Sequence, residues 1–368
     1  MTAIKSIAAY RTAVPLIKPF KTALRTVTVA EAVIVHILTE DGQSGFGEAP
    51  PTHVITGDSL DSIEFAVEVI AAGLIGLDIR RREIIFEKLH KAIIGNPSAK
   101  AAVDIALYDL MAQQAGLPLV QFLGGYREEL ETDFTVSVNS PEEMAEDAAG
   151  YIKDGFDVLK VKVGIDTVEK DIERIRAIRE NIGYDVLLRL DANQGWEAKS
   201  AVRAIGMMED AGLGIELIEQ PVHAKDIEGL KFVTDRTMTP IMADESVFSP
   251  HDALKVLQLR AADLINIKLM KSGGIHQALK INALAEAHGV ECMTGSMIES
   301  KLSVSAVAHF AASQPNITRF DFDTPLMLKE DNVPGGIQYN GKTIRFPDKP
   351  GLGIDTDIFL KRLTGRSE

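Results

Sequence analysis

From residue 134 to residue 321 the chain repeats one pattern, a short apolar strand followed by an amphipathic helix. The strands read Phe134–Val138, Val158–Val163, Val186–Asp191, Ile215–Glu219, Ile241–Asp244, Leu264–Lys268, Glu291–Thr294 and Ile317–Asp321. Helical stretches such as Pro141–Lys153, Val168–Asn181 and Ile275–His288 separate them. Eight strands with seven intervening helices predict an α/β chain whose sheet closes into a parallel (β/α) barrel rather than staying open.

The residues before this repeat follow a different rule. Ala30–Thr39 alternates as a strand, Asp41-Gly42 marks a turn and Ser44–Glu48 resumes, which predicts a short antiparallel meander. From Ser59 to Gly116 the period becomes helical. Val103, Ala106, Leu107 and Leu110 recur on one helix face, and Asn96 before Pro97 reads as an N-cap. Strands followed by helices predict an α+β unit. After Asn332 turns and short strands return, so the expected organisation is an α+β unit over 1–125, a barrel over 126–325 and a tail over 326–368 that packs on the first unit. Residues Gly336 to Thr343 satisfy the phosphate-loop pattern GxxxxGK[ST]. That loop needs a strand before it and a helix after it. Here Asn340-Gly341 sits between alternating strands, and a β-hairpin with an Asn-Gly turn is expected instead.

Composition narrows the partners. With 39 basic against 53 acidic residues the net charge is −14, which disfavours nucleic acid and anionic membranes and demands local positive charge for any anionic substrate. A single cysteine, Cys292, permits no intrachain disulfide and points to a reducing compartment. No apolar run reaches spanning length and no signal peptide is read at the N-terminus, so a cytoplasmic protein is expected.

Five consecutive barrel strands end in charge: Lys160-Val-Lys162, Asp191-Ala-Asn193, Glu219-Gln-Pro, Asp244-Glu245 and Asn266-Ile-Lys268. Barrel interiors are apolar and active sites lie at the C-terminal ends of the strands, so these charges mark a site. Asp191, Glu219 and Asp244 lie on neighbouring strands, and their carboxylates are expected to converge. Three clustered carboxylates call for a hard divalent cation, and oxygen-only ligation points to Mg²⁺ or Mn²⁺ rather than zinc. Lys162 and Lys268 lie four strands apart in a ring of eight and should face each other across the mouth. Opposed lysines beside a metal suit abstraction of a proton from carbon α to a carboxylate, through a metal-stabilised enediolate. One lysine takes the proton and the other returns one on the opposite face, inverting the centre. The cation, the neighbouring lysine and desolvation are each expected to lower the lysine pKa. Lys160 is assigned to the substrate carboxylate.

Together these motifs resemble the enolase superfamily, muconate-lactonizing subgroup, over nearly the whole chain. The resemblance implies a (β/α)₇β modified TIM barrel with an α+β capping domain built from both termini, and Mg²⁺ on Asp191, Glu219 and Asp244. The subgroup includes cycloisomerases, o-succinylbenzoate synthases, N-acylamino acid racemases and dipeptide epimerases. Two features resemble the dipeptide epimerases of the L-Ala-D/L-Glu type. Asp321-Phe-Asp323 matches the element that holds a free ammonium group, and Lys18-Pro-Phe-Lys-Thr-Ala-Leu-Arg25-Thr matches the segment whose arginine, here Arg25, pairs with a glutamate side chain. Val54–Ser59 resembles a mobile lid, Ser296-Met-Ile298 the lining of the dipeptide backbone and Thr135 a substrate contact. The resemblance thus implies a Mg²⁺-dependent isomerase epimerising dipeptides, plausibly of murein origin, with a homo-oligomeric state expected. N-acylamino acid racemase or o-succinylbenzoate synthase activity, or a non-glutamate dipeptide, is the alternative.

Overall fold

The computed structural model describes residues 2–365. Residue 1 and residues 366–368, at the outer ends of the expected N-terminal unit and tail, lie outside the described residues. The chain opens with β1 (Ile4–Lys21), β2 (Thr26–Thr39) and β3 (Ser44–Ala49), an antiparallel sheet in that order. The sequence reading recovered β2 and β3 but not β1, whose alternation is blurred by Lys5, Arg11, Pro15 and Pro19. The β1–β2 register is broken between Pro15 and Phe20, where proline cannot donate to the ladder. The residues beyond the break pair again at Phe20↔Val27 and Lys21↔Thr26.

Helices α1 (Leu60–Leu74), α2 (Arg82–Lys91) and α3 (Pro97–Ala115) follow. The expected face of α3 is buried, but so is its opposite face, because β3 covers one side and the barrel the other. Asn96 precedes α3 as expected, yet it does not cap it with its side chain. It adopts a left-handed φ of 51° and donates to Ile94 O at 3.0 Å, while the Asp58 carboxylate accepts from Ser98 N at 3.3 Å.

After α4 (Leu119–Leu123) and β4 (Glu129–Glu131) the barrel begins. Its first half comprises β5 (Phe134–Val136), α5 (Pro141–Lys153), β6 (Val158–Lys162), α6 (Val168–Ile182), β7 (Leu187–Asp191), α7 (Ala198–Asp210), β8 (Ile215–Glu219) and α8 (Ile227–Thr234). Its second half comprises β9 (Ile241–Ala243), α9 (Pro250–Leu259), β10 (Leu264–Ile267), α10 (Leu269–Ser272), α11 (Ile275–Ala287), β11 (Cys292–Gly295), α12 (Lys301–Ser313) and β12 (Ile317–Asp321). The strands form one eight-stranded parallel sheet in sequence order. Asp133 N to Phe320 O at 3.2 Å and Phe322 N to Thr132 Oγ1 at 2.8 Å draw its two edges together. Directly after β12 a 3₁₀ turn over Thr324–Met327 stands where the other barrel strands lead into an α-helix.

The tail forms β13 (Gln338–Asn340), β14 (Thr343–Arg345) and α13 (Thr356–Thr364). The hairpin is present, but its two central residues are Gly341 and Lys342 rather than Asn340 and Gly341. Asn340 pairs with Thr343, and Gly341 (φ 59°) takes the first central position, where two-residue hairpins require positive φ. The strand β14 also pairs with β4, Leu352 N donates to Asp109 of α3 at 2.8 Å, and Tyr339 Oη donates to Phe322 O at 2.6 Å, so the tail touches both the first unit and the barrel. Among the described residues no helix is long and apolar enough to cross a membrane.

The first unit also caps a barrel helix. No side chain of α11's own neighbourhood caps it; instead Asp104 of α3 accepts from Ile275 N at 2.6 Å and His276 N at 3.2 Å. Gly274 carries φ 110°, and a Cβ there would lie 2.2 Å from the Asp104 side chain. Gly274→Ala is therefore expected to destabilise the protein by about 1–3 kcal/mol, and Asp104→Ala by about 1–2 kcal/mol through the lost cap, both read from urea midpoints.

A second prediction concerns pH. His309 of α12 is fully buried, accepts from Val120 N at 2.9 Å, and burial pushes its pKa down to about 3. The unfolded chain binds the proton that the fold refuses, so this contribution is intact above the ordinary histidine pKa and is lost progressively as pH falls from about 6.5 towards 3. Between pH 7 and 5 the wild type should lose about 2 kcal/mol more stability than His309→Gln; equal losses would remove His309 as the cause.

Candidate active site

Alternation along β6 sends Leu159 and Val161 into the hydrophobic core and Lys160 and Lys162 to the barrel axis. Lys162 and Lys268 both line a cavity at the C-terminal mouth, together with Arg25, Thr135, Asn193, Ser296, Ile298, Asp321 and Asp323. Eight of the twelve expected site residues thus line one cavity; Lys160, Asp191, Glu219 and Asp244 do not. Phe20 stands over Lys162, its ring centre 5.8 Å from the ammonium nitrogen. Val54 and Ile55 of the expected lid form part of the wall.

Lys160 is only 1% exposed and lies beneath the cavity rather than along it. Its nitrogen is 2.7 Å from Glu219 Oε2, 2.8 Å from Asp321 Oδ2 and 3.3 Å from Asp191 Oδ2. Lys162 donates to Asp191 Oδ2 at 2.6 Å and Lys268 to Asp244 Oδ2 at 2.9 Å. Asp191, Glu219 and Asp244 are all buried in this cluster. They are not set at the spacing of a ready-made metal cage among the described residues; each instead contacts a lysine ammonium, Glu219 that of Lys160, Asp191 that of Lys162 and Asp244 that of Lys268.

The lysine electrostatics also differ from expectation. Burial lowers the pKa of Lys268, but Asp244, Glu219 and Asp191 outweigh it and hold the ammonium above the ordinary lysine range. The same carboxylates hold Lys160 well above that range. A divalent cation on those acids withdraws this support.

The residues present fit such a cation. The three carboxylates supply only hard oxygens. Negative charge is in excess around them: burial and then Asp244 and Asp191 push Glu245 up to about 8, and burial and then Asp321 push Asp323 up to about 7. Asn193 Oδ1, Glu245 Oε2 and Asn266 Oδ1 are buried acceptors without a donor.

Two charged elements of opposite sign, Arg25 and the Asp321/Asp323 pair, line the same cavity. Burial lowers the pKa of Arg25, and no carboxylate among the described residues pairs with its guanidinium. Asp323 accepts from Thr135 N at 2.6 Å while Asp321 holds Lys160. Ser296 contacts Thr324 Oγ1 at 3.2 Å.

Several residues of the site were not read from the sequence. Gln220, with a left-handed φ of 37°, accepts from Asp244 N at 2.9 Å and Ser246 N at 3.1 Å. Lys271 pairs with Asp244 Oδ1 at 2.6 Å. Glu48 of β3 accepts from Ser300 N at 2.8 Å, just beyond the Ser296–Ile298 segment.

Opposed lysines and clustered carboxylates at the mouth of an eight-stranded barrel whose last strand leads into a 3₁₀ turn, closed by an α+β unit, define an enolase-superfamily fold. Residues 6–124 match the mandelate racemase / muconate lactonizing enzyme N-terminal domain and residues 143–359 the enolase C-terminal domain-like family. The chain belongs to the mandelate racemase / muconate lactonizing enzyme family. It is 64% identical over 352 residues to the L-Ala-D/L-Glu epimerase of Bacillus subtilis, covering 95% of this chain and 96% of that one. The substrate-liganded structure of that enzyme superposes with a TM-score of 0.95 over 96% of this chain and 99% of that chain. The L-Ala-D/L-Glu epimerase of Clostridium acetobutylicum is 54% identical over 353 residues, 96% of this chain and 98% of its own. A dipeptide epimerase of Enterococcus faecalis, solved with Mg and L-Leu-L-Tyr, is 46% identical and superposes with a TM-score of 0.93, covering 96% of this chain and 99% of that one.

Proposed function

We propose that the protein is a Mg²⁺-dependent epimerase of L-Ala-D/L-Glu, inverting the α-carbon of the C-terminal residue. The observation that carries this reading is the placement of Lys162 on β6 and Lys268 just beyond β10, four strands apart, lining one cavity with Arg25 and the Asp321/Asp323 pair. Asp191, Glu219 and Asp244 would hold Mg²⁺, which when bound supplies a Lewis acid that stabilises negative charge on the substrate carboxylate. Lys162 and Lys268 then each serve one face of the α-carbon, one taking the proton from its face while the other returns a proton on the opposite face, the roles exchanging in the reverse direction. Lys160 is the charge beneath the substrate carboxylate and is itself held by Asp191, Glu219 and Asp321. Arg25 pairs with the glutamate side chain, Asp321 and Asp323 hold the free ammonium, and Thr135, Ser296 and Ile298 line the backbone between them. Phe20 and the Val54–Ile55 wall exclude water.

An N-acyl substrate offers no ammonium, which leaves the Asp321/Asp323 end without a partner and disfavours the racemase and synthase alternatives. We extend the reading to cytoplasmic recycling of murein peptides by a homo-oligomer, with the 1–125, 126–325 and 326–368 division separating specificity, chemistry and support. The net charge of −14 supports a free peptide rather than a nucleic acid or an anionic membrane as partner.

Proton NMR of L-Ala-L-Glu and L-Ala-D-Glu in D₂O with Mg²⁺ tests the proposal. Loss of the glutamate α-proton with growth of the other diastereomer, abolished by EDTA, is expected; no exchange from either peptide refutes the substrate. Lys162→Ala and Lys268→Ala should each lose interconversion by a factor of about 10² or more, while each keeps exchange on the face its remaining lysine serves. Arg25→Met should lower kcat/KM for Ala-Glu about 10- to 100-fold, the worth of hydrogen bonds to a charged group. Asp321→Asn with Asp323→Asn should shift the preference towards N-acetylated substrates.

A further inference from the structure

We infer that Lys271 is a positioning residue of the metal centre, holding Asp244 in the orientation that presents it to the cation and to Lys268. The inference rests on the reading of Asp244 as a metal ligand. Lys271 sits on α10, the single turn after β10, is 1% exposed and is set back from the residues that line the cavity. Its ammonium donates to two main-chain carbonyls, that of Asp244 and Asn266 O at 3.1 Å, and stands 2.6 Å from Asp244 Oδ1 as an ion pair. All three lie where β9 and β10 reach the mouth of the barrel.

The consequence is geometric. Asp244 stands between two lysines, with Oδ1 on Lys271 and Oδ2 on Lys268 at 2.9 Å. Lys268 is mobile in function, because it must exchange protons with a substrate. Lys271 is not, because both main-chain carbonyls fix it. Holding Oδ1 from behind leaves the carboxylate only one way to turn, with Oδ2 towards the cavity side. Asn266, whose side chain donates to Glu219 Oε1 at 2.7 Å, ties a second acid to the same strand end. The spacing between metal ligands and base is therefore set by residues 266–271 as one rigid piece. Removing one partner of a buried ion pair destabilises the fold whatever that partner's role, so stability does not separate the two roles. Metal affinity does, since outer-shell partners set it by 10- to 100-fold.

The two roles predict opposite signs for metal binding. If Lys271 only neutralises Asp244, removing its charge makes Asp244 a better cation ligand. If it positions Asp244, removal weakens binding. The test is calorimetric titration of Mg²⁺ into the full-length, metal-stripped wild type, Lys271→Met, Lys271→Gln, Lys271→Arg and Asp244→Asn, with folding checked by circular dichroism. Lys271→Met is expected to raise the Mg²⁺ Kd about tenfold or more, to raise the half-saturating Mg²⁺ for α-proton exchange by the same factor, and to be partly rescued in Lys271→Arg. Should Lys271→Met fail to fold, Lys271→Gln, which keeps two donors for the carbonyls, carries the same expectation. Unchanged or tighter Mg²⁺ binding in the folded variant, with Asp244→Asn weakened, overturns the role of Lys271 alone. A wild type that binds no Mg²⁺, or binds it equally well as Asp244→Asn, overturns the metal reading and the inference with it.

Discussion

The ammonium of Lys160 is the interaction on which the barrel mouth depends. It is buried from water and shared by Glu219, Asp321 and Asp191, so one charge links the ends of β6, β7, β8 and β12. Burying an ion costs several kcal/mol, and mutual attraction offsets that cost only with good geometry and further hydrogen bonds. Both conditions are met, because Asp191 also accepts from Asn193 N at 2.9 Å and Glu219 from Asn266. An apolar plug would hold the strands together at no such cost. Keeping charge there makes sense only for chemistry, and the hydrophobic barrel wall supplies the stability that the mouth gives up.

That arrangement makes the N-terminal unit part of the barrel rather than an addition to it. Helices α11 and α12 start just beyond β10 and β11, whose ends carry Lys268 and Ser296. Asp104 of α3 caps the first, and Glu48 of β3 accepts from Ser300 N and from Ser303 N at 3.2 Å at the start of the second. Helix N-termini attract carboxylates by their dipoles and free N–H groups. The same unit presents Phe20 and Arg25 over the mouth from the far end of the β1–β2 sheet. Two buried carboxylates thus fix the position from which the lid and the arginine reach the site.

What was legible in the sequence follows from this physics. Strand periodicity is a local signal, and it located the eight barrel strands within one or two residues at each end. Asp104, Glu48, Gln220 and Lys271 were not legible, because each acts on a partner brought near only by folding. Asp104 lies 171 residues from Ile275 and Glu48 252 residues from Ser300. The cap of α3 was missed for the same reason, Asp58 lying 40 residues from Ser98. The hairpin turn shifted by one residue because Asn-Gly is a strong turn pair, while the ladder to β4 and the positive φ of Gly341 decided the register.

On the proposed reading, specificity and chemistry sit on different elements. Proton transfer is confined to the ends of β6 to β10, locked by mutual ion pairs, whereas Arg25 comes from the β1–β2 connection and Asp321 and Asp323 from the end of β12. Arg25 has no ion-pair partner to lose, so replacing it disturbs no buried charge. Asp321 is different: it belongs both to the ammonium end and to the shell around Lys160. A change of C-terminal side chain is therefore open to substitution in the capping unit at little cost, while a change at the N-terminal end of the substrate reaches into the charge network that holds the catalytic mouth together. Specificity should drift more readily at one end of the dipeptide than at the other.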